Sequence, residues 1–298
     1  MQHVRIPSIQ SSRLPLFPRA VARVFRHIGD REISPEFLAR LLESELELTE
    51  RLLRAAAQPV FGLRKGVQSL SEAIACLGRE TFHDLLFTIA AMPLFGNGIG
   101  SIDAASLRAH SIACGLLARA LAERLSVASP AVAYRAGVVH DIGLMALQAG
   151  PREASARAIA GATEGKRALV PMEQSILGVD HAACGLWYGE LLDLPRPILD
   201  AIRFHHDPMA APPPRALAAV VGLGDRICSD AGFGYGFPEE DVPDSRLDRH
   251  PAWGALCEEM PALKCCDPAL VLGEAIRQVR PLRGALLEII QEPVLTGF

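Results

Sequence analysis

The chain has 298 residues, 50% hydrophobic, 21% charged and only 5% aromatic, enough apolar material for a proper core, which excludes a wholly disordered chain. Thirty basic and 34 acidic residues leave a formal net charge of −4, which argues against a protein held to nucleic acid by bulk charge. The seven cysteines are scattered and odd in number, so they read as free thiols of a reducing compartment. No apolar run approaches the ~18 residues needed to span a bilayer, and we expect a cytoplasmic protein with no membrane span.

Almost every periodic segment reads as helix, and strict alternation of polar and apolar residues is nearly absent. Arg5 to Arg26 carries five arginines and no acid, and reads as a solvated arm leading into the first helix. Ser34-Pro35 opens a helix with the stripe Phe37, Leu38, Leu41 and Leu42. A second helix runs from about Leu46 to Ala57. Ser69 followed by Glu72 forms a capping box for a third, which Gly78 ends. A fourth covers about Arg79 to Met92. Gly96 to Gly100 is a breaker and the seam between two lobes. Beyond it a helix from near Asp103 carries Leu107, Cys114, Leu117 and Leu121, and Ser129-Pro130 opens another that runs on to about Leu147. Residues 150–170, rich in Ala and Gly with mixed charge, read as a weak helix or a mobile connection. Helices follow near 171–177, 180–192, 196–206 and 215–231, and the tail closes with helical residues 268–291.

The chemistry concentrates in the second lobe. His110 shares a stripe with Ala113, Cys114 and Leu117, and His140 shares a face with Ala136 and Gly143, with Asp141 directly after it. His181 starts a helix capped by Asp180. His205 lies on the stripe of Ile198 and Ile202 with His206 beside it, and Asp225 falls with Val221 and Cys228. Burying that many ionisable groups costs several kcal/mol apiece unless they pair or hold a cation. Neutral imidazoles and carboxylates are natural metal ligands, although His and Asp can also satisfy one another without metal.

His110, His140-Asp141 and the distant Asp225 resemble the HD superfamily of metal-dependent phosphohydrolases, whose cores are helical. Arg13-Leu-Pro-Leu-Phe-Pro18, the stretch Ala55 to Gly62, Ser69 to Ile74 and Leu77-Gly78 resemble the first lobe of the HDOD family more closely. Gly137-Val-Val-His-Asp-Ile-Gly143, Glu173 with Gly178-Val-Asp-His181, Leu194-Pro195 and His205-His206-Asp-Pro208 resemble its second lobe. The likeness covers about residues 13 to 230, some three quarters of the chain. It implies an all-α HDOD fold with an N-terminal helical lobe on an HD-type core: an arm over 1–12, the HDOD domain over 13–230 (lobes 13–100 and 101–230), and a helical extension over 231–298.

By this resemblance His110, His140, Asp141 and Asp225 hold one metal, and Asp141 bridges to a second site with His181, His205 and His206. One or two divalent ions (Fe, Mn or Zn) are implied, or none if the cluster is a structural network. Related phosphodiesterases carry Lys three residues after the Asp, where this chain has Leu144. Their Gly-Tyr-Pro loop follows the paired His, where this chain has Asp207 to Pro214. Gly234-Tyr235-Gly236 reads as a decoy, since it lies beyond Asp225. HDOD proteins look like regulatory modules without established catalysis. The expectation is therefore a non-catalytic bacterial signalling protein that binds partner proteins or a nucleotide ligand. The alternative is a di-metal phosphohydrolase or cyclic-nucleotide phosphodiesterase acting through Asp141.

Overall fold

The computed structural model describes residues 9, 11–26, 34–42, 44–58, 67–235 and 247–279. Among them there is no strand, only an isolated bridge between Ile99 and Ile102 across the Gly-rich turn, and the protein is all-α. The described residues fall into two compact units, one within Pro15–Leu94 and the other from Phe95 onward together with the short stretch before Pro15.

The first unit holds five helices: α1 (Arg19–Arg26), α2 (Pro35–Leu42), α3 (Leu46–Ala56), α4 (Leu70–Leu77) and α5 (Arg79–Ala91). Helix α1 corrects the reading of a solvated arm. Its arginines recur at 19, 23 and 26, while Ala20, Val21 and Val24 between them are buried, so the basic residues mask an ordinary amphipathic helix. The core of this unit gathers Val21, Val24, Leu38, Leu42, Leu52, Phe82 and Leu86. Two caps set helix starts. Ser34 Oγ accepts from Phe37 N at 3.2 Å, and Ser69 Oγ accepts from Glu72 N at 3.1 Å. The Glu72 carboxylate reaches back to Gln68 N at 2.8 Å, one residue before the position that a capping box serves. Ser69→Ala is expected to destabilise the protein by about 1 kcal/mol. A chemical-denaturation midpoint unchanged from wild type would remove the cap from the account.

The second unit is built on α6 (Ala104–Leu125), capped by Asp103, whose Oδ1 accepts from Ser106 N at 2.8 Å. It continues with α7 (Pro130–Val139), α8 (Gly143–Ala149), α9 (Arg152–Gly165), α10 (Leu169–Leu177), α11 (His181–Leu191), α12 (Arg196–Phe204), α13 (Ala216–Cys228), α14 (Pro251–Glu259) and α15 (Pro268–Val279). Helices α7, α13 and α15 pack on α6, α11 packs on α8 and α12, α9 on α10, and α14 on α13.

Two departures from the sequence reading matter, and one reading that it left open, over residues 150–170, is decided in favour of helix. The helix expected to run from Pro130 to Leu147 is two, because the chain turns at His140–Ile142 before resuming at Gly143. Residues 152–165 form a full helix, ended by Lys166 in the left-handed region at φ 47°. Its buried anchors are small, Ser155, Ala158 and Ala162 beside Ile159, so no bulky stripe announces it. The helix expected to reach residue 206 ends at Phe204, which leaves His205 and His206 in a turn. Of the last expected helix, 268–279 is helical, and 280–291 lies outside the described residues.

Candidate metal centre

Helices of the second unit bring all seven residues singled out from the sequence to one place. His110 lies on the second turn of α6, Asp225 near the end of α13, and His140 with Asp141 in the break between α7 and α8. His181 is the first residue of α11, held by the Asp180 cap, whose Oδ1 accepts from Ala183 N at 2.7 Å, and His205 with His206 follow α12 directly. His110 and His140 have no exposed surface, and Asp141 and Asp225 are each 4% exposed, while His206 reaches the edge of the cluster.

Two groups of ligand atoms result. In each, the atoms lie within 4.8 Å of one another: His110, His140 and Asp225 in the first, and Asp141, His181, His205 and His206 in the second. In the first, His110 Nε2 is 3.1 Å from Asp225 Oδ1 and 3.2 Å from His140 Nε2. Asp141 faces both groups with different oxygens. Its Oδ2 is 3.3 Å from His140 Nε2 and 3.7 Å from His110 Nε2. Its Oδ1 is 3.3 Å from His181 Nε2 and 3.6 Å from His205 Nε2.

Acceptors at the rear of the rings fix which nitrogen faces inward. His110 Nδ1 donates to the Phe233 carbonyl at 3.1 Å, His140 Nδ1 to Gly137 O at 2.7 Å, and His205 Nδ1 to Ile202 O at 2.8 Å. His181 Nδ1 donates to Glu173 Oε2 at 2.7 Å, and the same oxygen accepts the His181 backbone N–H at 2.8 Å. A carbonyl or carboxylate can only accept, so in each neutral imidazole the Nδ1 carries the proton and the Nε2 lone pair points into the cluster. Two such lone pairs face each other at 3.2 Å between His110 and His140. The His181 and His206 Nε2 atoms stand 2.9 Å apart. A proton on one ring of each pair, or a cation among these nitrogens, is what lets them meet at such distances.

The protonation balance says the same of each group. Burial pulls the His140 imidazolium down, but the Asp141 and Asp225 carboxylates outweigh it, and its pKa stands well above the ordinary histidine value. At His181 burial is likewise overcome, here by Glu173 and Asp141, and its pKa also stands well above the ordinary value. Burial raises the Asp141 and Asp225 carboxyls less than the imidazoles lower them, so both lie well below the carboxylate range. His205 is driven well below the histidine value by burial and by His206, and His206 is lowered to about 4 by burial and by His181. His140 in the first group and His181 in the second are thus held toward the charged imidazolium, while His205 and His206, both in the second, are held toward the neutral form. His205 Nε2 is buried without a hydrogen-bond partner, as a nitrogen reserved for a cation would be. Buried imidazoles and carboxylates with rear acceptors in place form a donor set that fits a divalent metal ion. Cys114 is not part of it: its Sγ donates to Val221 O at 3.7 Å, and burial pushes its thiol up.

Two residues join the site that the sequence reading did not place there. Glu173, on α10, was visible in the sequence as part of a motif, and burial raises its carboxyl despite the opposing His181 cation. Tyr235 overturns the reading of Gly234-Tyr235-Gly236 as a decoy. Its hydroxyl donates to Asp141 Oδ2 at 2.9 Å, and its ring lies 4.6 Å from that of His110, centroid to centroid. Gly236 lies outside the described residues. A small cleft beside the cluster is lined by Asp141, Leu144, Leu169, Val170, His181, His206 and Tyr235, with no Lys or Arg among them.

Comparison with known proteins agrees with this architecture. A profile of the HDOD domain matches residues 14–208. An uncharacterised protein of Treponema pallidum (strain Nichols) is 24% identical over 208 residues, which is 67% of this chain, and the chain spans only 39% of that protein's length. The solved structure of an HDOD domain protein of unknown function from Geobacter sulfurreducens has a TM-score of 0.82 at 26% identity, covering 95% of both chains. A protein of Shewanella amazonensis SB2B, provisionally named a phosphohydrolase, shares the fold with a TM-score of 0.70 at 21% identity, over 94% of this chain and 95% of its own. This chain belongs to the HDOD domain family.

Proposed function

We propose that this protein is a non-catalytic regulatory module of a bacterial signalling pathway, cytoplasmic, whose buried centre holds a divalent metal pair and which acts by binding partner proteins or a ligand. The observation that carries the non-catalytic half is the wall of the cleft. Leu144, Leu169 and Val170 line it, Leu144 is 1% exposed, and among the described residues that line it there is no Lys or Arg to neutralise a phosphate group. In phosphodiesterases that the sequence resembles, Lys occupies the position of Leu144.

The metal half is supported by the converging Nε2 lone pairs. On this reading His110, His140, Asp225 and Asp141 Oδ2 would hold one ion, and His181, His205, His206 and Asp141 Oδ1 the other. A bound pair supplies Lewis acidity and an acidified water. The chain itself supplies the bridging Asp141 carboxylate, the fixed tautomers and an apolar surround that excludes bulk solvent. Glu173 orients His181 through two hydrogen bonds to one oxygen, and such outer partners are typically worth about 10–100-fold in metal affinity.

A second reading, a di-metal phosphohydrolase, draws on Asp141 presenting one oxygen to each group, as a bridging ligand of two-metal hydrolysis would. Elemental analysis of protein purified without a histidine tag and without added metal tests the first. Between one and two equivalents of Fe, Mn or Zn per chain are expected, lost in His140→Ala, with no turnover of phosphomonoesters or cyclic dinucleotides by the loaded protein. Turnover that vanishes in Asp141→Asn would replace the regulatory reading with the hydrolytic one. Metal at background in well-folded protein that also refuses added metal would overturn both.

A further inference from the structure

The segment after α13 returns to the centre by a specific route. Gly232 turns the chain in the left-handed region at φ 82°, which a side chain would resist. Gly234 lies so close to Ser229 that an added Cβ would meet its Oγ at 3.0 Å and its Cα at 3.1 Å. Arg226 pairs with Asp230 at 3.2 Å across the start of the turn. The route ends in two contacts two residues apart. The Phe233 carbonyl takes the Nδ1 proton of His110, and the Tyr235 hydroxyl donates to Asp141 Oδ2. Tyr235 also lines the cleft, together with Leu144, Leu169 and Val170, and its ring lies against that of His110. Among the described residues of this turn, the one that lines the cleft is Tyr235, and its hydroxyl is already spent on the shared carboxylate.

We infer that Tyr235 is a specificity-determining residue that shuts the centre to external oxyanions: its hydroxyl occupies Asp141 and its ring fills the approach, so that a small oxyanion of the phosphate class binds the centre only when this side chain withdraws. The inference rests on the metal reading above. It goes further in naming the chain's own occupant of the cleft, the class of ligand excluded, and the turn whose movement would admit it. No proton transfer or bond cleavage is involved, only competition for space and for a hydrogen-bond partner.

The test loads wild type, Tyr235→Phe and Tyr235→Ala with Co(II), verifies equal metal content, and titrates inorganic phosphate while following the visible cobalt spectrum. Tyr235→Ala is expected to bind phosphate roughly tenfold or more tighter than wild type, the scale set by losing a hydrogen bond to a charged group together with the ring. Tyr235→Phe, which keeps the ring and loses the hydroxyl, should fall between them and remains informative if the alanine variant fails to fold. Ring-labelled tyrosine gives a readout independent of metal. The chain has three tyrosines, so the Tyr235 signal is assignable by its loss in the phenylalanine variant. In metal-free protein that signal should shift on Asp141→Asn. Equal phosphate affinity in all three proteins at equal metal content overturns the inference and leaves the metal reading intact. A Tyr235 signal indifferent to Asp141→Asn overturns it without reference to metal. Refusal of cobalt by all three proteins overturns the metal reading, and this inference falls with it.

Discussion

Asp141→Ala is expected to empty both halves of the centre, taking metal content from one or two equivalents per chain to background. Among the described residues Asp141 alone gives an oxygen to each group, Oδ2 toward His110 and His140 and Oδ1 toward His181 and His205. Removing it takes away the one negative charge that both groups share and leaves the second group with imidazoles alone. Asp225→Ala is the informative partner. Its Oδ1 meets His110 and His140 at 3.1 and 3.7 Å and belongs to the first group only, so that variant should lose the first ion and keep the second. Stability should follow occupancy. Any ion that binds the folded state alone adds about 2.7 kcal/mol at a hundredfold excess over its dissociation constant. The Asp141 variant should therefore gain nothing from added metal, whereas wild type rises in thermal midpoint. The measurement is elemental content of the three proteins after identical loading. A full complement of metal in Asp141→Ala would remove the shared carboxylate from the centre, and identical losses in the two variants would deny the division into two groups.

Much of this centre was legible because of where its residues lie on their helices. His110, His140, Asp141, His181, His205 and Asp225 are ionisable groups among apolar neighbours, and such groups need partners that the sequence can only place elsewhere in the chain. The structure supplies those partners by bringing α6, α11, α13 and the ends of α7 and α12 together. Glu173 escaped because α10 shows one side of mixed polarity, with Glu173 flanked by Met172 and Gln174, so nothing local says that it is the buried one. Tyr235 was set aside because its Gly-rich segment lies beyond Asp225, and nothing local says that the chain turns back there to the centre. The hydrophobic pattern also runs unbroken through Val138, Val139, Ile142 and Leu144, which is why one helix was expected where there are two. The turn at His140–Ile142 answers to a contact made by residues forty positions further on, and no window of local sequence contains that information. The same limit explains α14, whose buried Trp253 and Leu256 lie in a stretch that composition alone marks as a tail rich in Gly, Pro and acid.

That long-range contact carries the second large effect, expected for Gly143→Ala. A Cβ on Gly143 would stand 1.8 Å from the His181 carbonyl oxygen and 2.5 Å from Gly185 N, both backbone atoms of α11. No rotamer change relieves a clash with backbone, so α8 and α11 must separate. Overpacking of this kind costs about 1–3 kcal/mol, and a wholly backbone clash belongs at the upper end. The separation acts directly on the site. Gly143 follows Asp141 by two residues and abuts the residue that carries the His181 ring, so the Asp141 Oδ1 to His181 Nε2 distance of 3.3 Å opens as the helices part. The variant should lose about 3 kcal/mol in chemical denaturation and bind the second ion more weakly than the first. Gly254→Ala is the matched control. Gly254 lies inside α14 with nothing within 4 Å of its added Cβ, so the change should be neutral or stabilise by up to about 1 kcal/mol, as Gly to Ala does inside a helix. Gly143→Ala at wild-type stability with both ions retained would mean that α8 and α11 do not meet at this glycine. The placement of Asp141 beside His181, on which the second half of the centre depends, would then need another cause.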